Sequence, residues 1–380
     1  MELILTEDQE LIAKTAADFA AERSPVARVR ELRDGRDATG FSRDLWKEMA
    51  DLGWVGIPFA EAHGGADLGL AELALVLEAL GRTLAPEPFL STVLLGGGAL
   101  AAQGSAEQQE QWLPGVVSGD KLLALAYQGP ESRYDLAVTG ATARREGDEW
   151  VLDGEKIQVL DGHVADALLV SARSSGSEGE TEGISLFLVP KDRAGLEIVR
   201  QIRVDHRNAA GVRLSGVRVG ADEVLGAIDG AGAILEQVVD RATVGLCAEM
   251  LGGMQQAFDL TLEHLKSREQ FGEVIGTFQA LKHRAADIFI EIELARSVVM
   301  AAARAADEGA SDLRQLVSLA KVRCGDAYVH VTNEGVQMYG GVGMTDEYDI
   351  GFYMKRARAA QLTFGDSSHH RDRWAKLGGY

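Results

Sequence analysis

The feature that most constrains this chain is a change of texture near Lys121, reversed near Ala233. Before it, residues 1–118 carry apolar side chains at helical spacing. Thr6 to Gln9 looks like an N-cap and first turn, and Leu11, Ile12, Ala16, Phe19 and Ala20 keep the helical period. Further helices are expected from Ser42 to Gly53, over 68–81, 90–100 and 107–113, with a turn at Gly64-Gly65. Between 121 and 219 the runs become short and rich in Val, Ile and Leu: 122–128, 149–160, 165–172, 184–190, 196–204 and 212–219. Polar turns such as Arg145–Asp148 separate them, so an antiparallel domain of about six to eight strands is expected. A polar loop over 174–180 is expected to be exposed. From Ala233 onward, 234–265, 278–307, 313–339 and 350–362 read as four long helices. The expected fold is α+β and mostly α. It has an N-terminal helical domain (1–118), a middle antiparallel β domain (119–225) and a C-terminal four-helix bundle (226–380).

The formal net charge is −20, with 58 acids against 38 Lys and Arg and no long basic cluster. A nucleic-acid partner is not expected, since its binder carries a basic footprint. An anionic ligand would have to meet local cations. Cys247 and Cys324 lie far apart in apolar helical contexts, which predicts small buried residues rather than a disulfide or zinc site. Residues 1–8 lack a signal peptide's basic start and long apolar core, and no apolar run reaches membrane-spanning length. A cytoplasmic chain with no membrane partner is expected.

Arg268-Glu269-Gln270-Phe271-Gly272, followed by Phe278-Gln279, is the richest local cluster. A guanidinium can grip a phosphate through two N–H bonds, and a glutamine amide both donates and accepts. These residues suit a cradle for a phosphate-bearing planar cofactor. They equally suit a polar corner between two helices.

The α–β–α order, the length and this cluster resemble the acyl-CoA dehydrogenase family over nearly the whole chain. Arg268 to Gln279 is similar to the family's R-x-x-F-G…Q. Gln337-Met338-Tyr339-Gly340-Gly341-Val342-Gly343 is similar to its Q-x-x-G-G-x-G. The resemblance implies non-covalent FAD, with Arg268 on the pyrophosphate held by a neighbouring subunit. Gln270, Phe271 and Gln279 would line the adenosine part. Gln337, Gly340 and Gly341 would approach from the other subunit, where glycine lets the backbone come close. Tyr127 is the cofactor-side candidate of the β domain. A shared site implies a homo-oligomer, dimer or tetramer, or a heterotetramer with a second chain of this type. The implied reaction is α,β-dehydrogenation of an acyl-CoA thioester, with electrons passing to electron-transfer flavoprotein or a similar acceptor.

The resemblance breaks in the chemical half. The family's common base is the Glu of Y-E-G-T; here the segment is Thr363-Phe364-Gly365-Asp366, and Phe364 takes that place. Asp366 is one substitute, though it equally reads as an N-cap or turn residue. Asp240-Arg241 resembles an alternative Glu-Arg pair after a two-residue shift. Glu249 is preferred as catalytic base, with Asp240 behind it. It is the single charge in Gly245–Gly253, and a carboxylate in apolar surroundings has been placed there at a cost. A buried structural pairing with an arginine of the bundle is its alternative role. The family's T-E-P-x-x-G-S-D appears as Tyr127–Asp135, and its W-x-T beside flavin N5 appears as Gln158-Val159-Leu160. Adjacent His369 and His370 do not share a helix face, and no metal is expected. Such departures are similar to branches acting on bulky or branched acyl groups. They also leave two other readings: a non-catalytic or half-site subunit of an α2β2 assembly, and, more weakly, a related flavin monooxygenase.

Overall fold

The computed structural model describes residues 4–380; the first three residues of the N-terminal stretch read above lie outside it. The chain divides into two compact units. One comprises residues up to Arg36, then Gly69–Pro86 and Thr243–Tyr380; the other comprises Asp37–Leu68 and Glu87–Ala242. Among the described residues no helix is long and apolar enough to cross a membrane.

The helices in chain order are α1 (Glu7–Arg23), α2 (Val26–Asp34), α3 (Arg43–Asp51), α4 (Leu70–Arg82), α5 (Gly98–Gln103) and α6 (Ala106–Val117). After the strands come α7 (Gly232–Ser267), α8 (Gln279–Glu308), α9 (Leu313–Tyr339), α10 (Ile350–Leu362) and α11 (Ser367–Leu377). Caps set several starts. Thr6 and Gln9 close a reciprocal capping box on α1, and Ser105 with Gln108 does the same on α6. Phe89–Gly97, expected to be ordinary helix, winds as a fully buried π-helical segment. α11 was not anticipated; Asp366 caps it by accepting from His369 N at 2.9 Å.

In the helical unit, α4 and α7 approach through glycines. A Cβ added at Gly252 would lie 1.8 Å from Glu78 O, and one at Gly81 would lie 2.1 Å from Glu249 O. Backbone contact of this kind leaves no room for a methyl. Gly252→Ala is expected to cost about 1–3 kcal/mol through overpacking, read as a lower urea midpoint at unchanged slope.

The β unit holds one sheet of eight strands, β1 (Leu123–Ala126), β2 (Thr142–Glu146), β3 (Glu149–Leu160), β4 (Ala167–Arg173), β5 (Ile184–Pro190), β6 (Leu196–Ile202), β7 (Asn208–Val219) and β8 (Val224–Leu225). The order is β6-β7-β3-β2-β4-β5-β8, with β1 beside β4. It is largely antiparallel, as expected. The exceptions are β1, which runs parallel to β4, and a single parallel pairing, Thr142 with Arg173, between β2 and β4. Leu152, Leu168, Val170, Phe187, Val189, Val212 and Leu214 form its core.

Candidate active and cofactor site

The candidate cofactor residues from Arg268 to Gln279 and from Gln337 to Gly341 lie in the helical unit. α7 stops at Ser267, and Arg268 N still donates to His264 O at 2.9 Å. A minimal hairpin follows, β9 (Glu269–Gln270) and β10 (Glu273–Val274), closed where Ile275 N donates to Arg268 O at 2.8 Å. Its two central residues, Phe271 and Gly272, have φ of +59° and +82°. Positive φ at both positions is the two-residue turn that matches strand twist. The turn leaves Phe271 93% exposed, its ring edge-on to Phe278 at 6.4 Å. The Arg268 guanidinium is exposed and has no protein partner among the described residues. Gln270 Nε2 donates to Glu269 O, and Gln279 opens α8 on the surface.

The second motif caps α9. Gln337 is exposed, and Gly340 turns the chain at φ +68°. Nothing lies within 4 Å of a Cβ built on Gly340 or Gly341. The glycines therefore relieve no internal crowding; they leave open space above the backbone. His264 stacks on Tyr339 at 4.1 Å and 15°, and Tyr339 Oη donates to Leu260 O at 3.0 Å. The C-terminal ends of α7 and α9 thus adjoin, which makes the Arg268 hairpin and the Gly340 turn neighbours. Neither His264 nor Tyr339 was singled out in the sequence. The i, i+4 spacing from His264 to Arg268 was visible, but its ring partner on another helix was not.

Glu249, on α7, is 6% exposed, and its Oε1 lies 2.9 Å from Arg356 Nη1 on α10. Arg356 is 4% exposed and also donates to Leu84 O at 3.4 Å. The carboxylate is tied into an interhelical ion pair, the structural role weighed above against the catalytic one. Asp240 is buried in the part of α7 that belongs to the β unit. It is roughly two and a half helical turns from Glu249, so the two point to opposite sides and do not converge.

The turn where the resemblance places its glutamate is pinned from below. Phe364 and Gly365 have φ of +61° and +115°. Phe364 O meets His370 Nε2 at 3.0 Å, so that nitrogen carries the proton. Lys321 Nζ donates to Gln361 O at 2.9 Å and Gly365 O at 2.6 Å. Burial pushes the Lys321 ammonium down to about 8. Burial, helped by the Lys321 charge, pushes His370 down from 6.5 to about 3. A folded-state value below the unfolded one means that this stabilisation is present above about pH 6.5 and fades as the pH falls toward 3. The loss is at most about 1.4 kcal/mol per pH unit. Urea midpoints measured from pH 7 to pH 5 are expected to fall more steeply for the wild type than for His370→Gln.

The β unit answers differently. Lys156 is fully buried with its Nζ donating to Tyr127 O (3.0 Å), Thr139 Oγ1 (2.7 Å) and Ser171 Oγ (3.1 Å). Burial pushes it down to about 7, and pushes the Tyr127 hydroxyl up. Lys156 thereby fixes the backbone at Tyr127. Gln158 sits at a bulge with φ +53°, and Leu160 pairs with Ala209 across to β7. Asp161 is buried and accepts from Ser91 Oγ at 2.6 Å; burial pushes its carboxyl up.

Tested against FAD, the two units disagree. A lone guanidinium, an uncovered aromatic ring and two open glycines fit an adenosine diphosphate. Leu160 offers flavin N5 no side-chain donor and Gln158 offers no indole ring, so on this side the flavin ring would have to be met by backbone N–H groups or by another chain. Among the described residues no group of three or more His, Cys, Asp or Glu could hold a metal.

Comparison with known proteins agrees along the whole chain. Residues 6–120, 124–217 and 229–377 match the N-terminal, middle and C-terminal domains of acyl-CoA dehydrogenase. The probable acyl-CoA dehydrogenase YngJ of Bacillus subtilis is 30% identical, with 98% of each chain covered. A solved variant of the Tcur3481-Tcur3483 steroid ACAD is 33% identical over 98% of each chain, with a TM-score of 0.87. The ChsE4-ChsE5 complex of Mycobacterium tuberculosis is 28% identical over 100% of this chain and 99% of the other, with a TM-score of 0.89. With its fold, its two cofactor motifs and these matches in register, the chain belongs to the acyl-CoA dehydrogenase family, oxidoreductases whose cofactor is FAD.

Proposed function

We propose that this chain is one subunit of a heteromeric, α2β2-type acyl-CoA dehydrogenase, and that it contributes the adenosine-diphosphate clamp to FAD whose flavin ring is seated in the partner chain. The observation that carries this reading is the split within the molecule. The Arg268 hairpin and Gly340 turn are intact and open, while Phe364 and Leu160 stand where a base and an N5 donor belong. Two of the matched structures bear paired protein names, in keeping with a two-chain assembly. α8 also presents Phe289, Ile290 and Leu294 at 55%, 53% and 48% exposure, an apolar ridge of the kind that a second subunit covers.

FAD supplies the hydride acceptor in α,β-dehydrogenation of an acyl-CoA thioester. This chain's residues bind and orient. Arg268 would grip the diphosphate by charge-assisted bonds, Gln270, Phe271 and Gln279 would line the adenosine part, and Gln337 with the Gly340–Gly341 backbone would approach the cofactor. The α-proton goes to a carboxylate of the partner. The substrate is an acyl-CoA with a bulky or branched acyl group, and electrons leave to electron-transfer flavoprotein or a similar acceptor.

The test is to purify the chain alone and from its native host, and to record subunit composition and flavin absorbance during anaerobic titration with isobutyryl-CoA, cyclohexanecarbonyl-CoA and a steroid side-chain CoA. The chain alone is expected to be flavin-poor. The native preparation is expected to contain a second chain and to bleach with one of the thioesters. Full FAD occupancy and bleaching in the chain alone would instead mark a self-contained enzyme, with Glu249 and Asp240 again its candidate bases.

A further inference from the structure

We infer that Tyr339, held between His264 and Tyr348, is a positioning residue of the clamp: it locks the helix end that presents Arg268 to the turn that presents Gly340 and Gly341. The inference rests on the clamp reading above and adds to it a role for Tyr339, at an unspecified position of the second motif, and for His264, which is outside both.

Three contacts make the device. The Tyr339 ring lies nearly flat on His264 at 4.1 Å, its hydroxyl reaches Leu260 O at 3.0 Å, and Tyr348 meets it edge-on at 5.4 Å. Two of these partners belong to the last turns of α7, where helices fray. His264 is one turn before Arg268, on the same side of the helix. Tyr339 is the residue immediately before Gly340. A shift of the ring therefore moves the cation and the glycine turn together. Gly340 N–H bonds back to Gln337 O within its own turn, and neither Gly340 nor Gly341 has a side chain to anchor that turn elsewhere. Arg268 has no anchor beyond the backbone bonds of its hairpin. α7 and α9 also meet closely where Gly335 approaches Thr261, and the stack is the side-chain tie beyond that point, at the ends that present the two donors. An aromatic pair of this geometry contributes up to roughly a tenfold difference in an equilibrium constant.

The test measures FAD dissociation from the purified native assembly by flavin fluorescence, alongside the thermal midpoint of the flavin-stripped protein. Tyr339→Leu and His264→Leu are each expected to weaken FAD binding roughly tenfold while the flavin-stripped midpoint stays within a few degrees of wild type. Tyr339→Phe keeps the ring and loses only the hydroxyl bond, so it is expected to recover most of the affinity. His264→Phe keeps the stack without the imidazole and serves if the leucine variants do not fold. Wild-type affinity in the leucine variants, or in the folded variants an FAD loss that only tracks a falling midpoint with no recovery in Tyr339→Phe, would overturn the positioning role. An assembly that binds no FAD as wild type would overturn the clamp reading itself, a different and separately visible result.

Discussion

Glu249→Met is expected to destabilise the protein by about 3–5 kcal/mol, because it strands the Arg356 guanidinium in an apolar interior. Arg356 is 4% exposed and also donates to Leu84 O at 3.4 Å, so water has no ready access to replace the lost carboxylate. The double variant Glu249→Met/Arg356→Met removes both charges and is expected to recover most of that loss, since well-packed hydrophobes replace a buried pair at little cost. Urea midpoints at constant slope read both results. The same pair of variants separates structure from chemistry. If Glu249 holds helices together, the double variant in the native assembly retains flavin bleaching by acyl-CoA. If Glu249 is the base, both variants lose bleaching, however stable they are.

Arg268→Ala is expected to cost roughly 10- to 100-fold in FAD affinity, the range for losing hydrogen bonds to a charged group. Folding stability is expected to move by less than about 0.5 kcal/mol, since the side chain is exposed and unpaired in the protein. Equilibrium dialysis of FAD against the assembly gives the first number, and a urea melt of the flavin-stripped protein gives the second. Arg268→Lys is expected to recover only part of the affinity, because an ammonium cannot bind two phosphate oxygens in the guanidinium's planar geometry. Unchanged affinity in Arg268→Ala would remove the diphosphate from this hairpin.

The elements most legible in the sequence were those whose pattern is local. α9 and α10 span 313–339 and 350–362 as read, and β3 and β5 span 149–160 and 184–190. β2 was missed because Thr142–Glu146 is mostly exposed and carries two arginines and a glutamate, so it lacks an apolar face to advertise it. α11 was missed for a related reason: only Ser367 and His370 of it are buried. The two motifs were legible because each lies within one short local element, a hairpin and a turn. What the sequence could not show was pairing. Glu249 stood out as a lone charge, yet Arg356 is one of three basic residues in α10, and only the packing of α7 on α10 selects it. The His264–Tyr339 stack joins two helices far apart in the chain, and Tyr339 occupies a position that the second motif leaves unspecified.

The hairpin tip has a consequence for engineering. Phe271 holds a left-handed backbone that glycine or asparagine adopts more readily, and it does so with its ring in solvent. It adds almost nothing to the fold. Engineering for expression and heat tolerance would therefore favour replacing it, and if Phe271 lines the adenosine site as proposed, each such gain would come with weaker FAD binding. On the clamp reading, the position of this aromatic is explained by what the tip touches rather than by the protein's own stability.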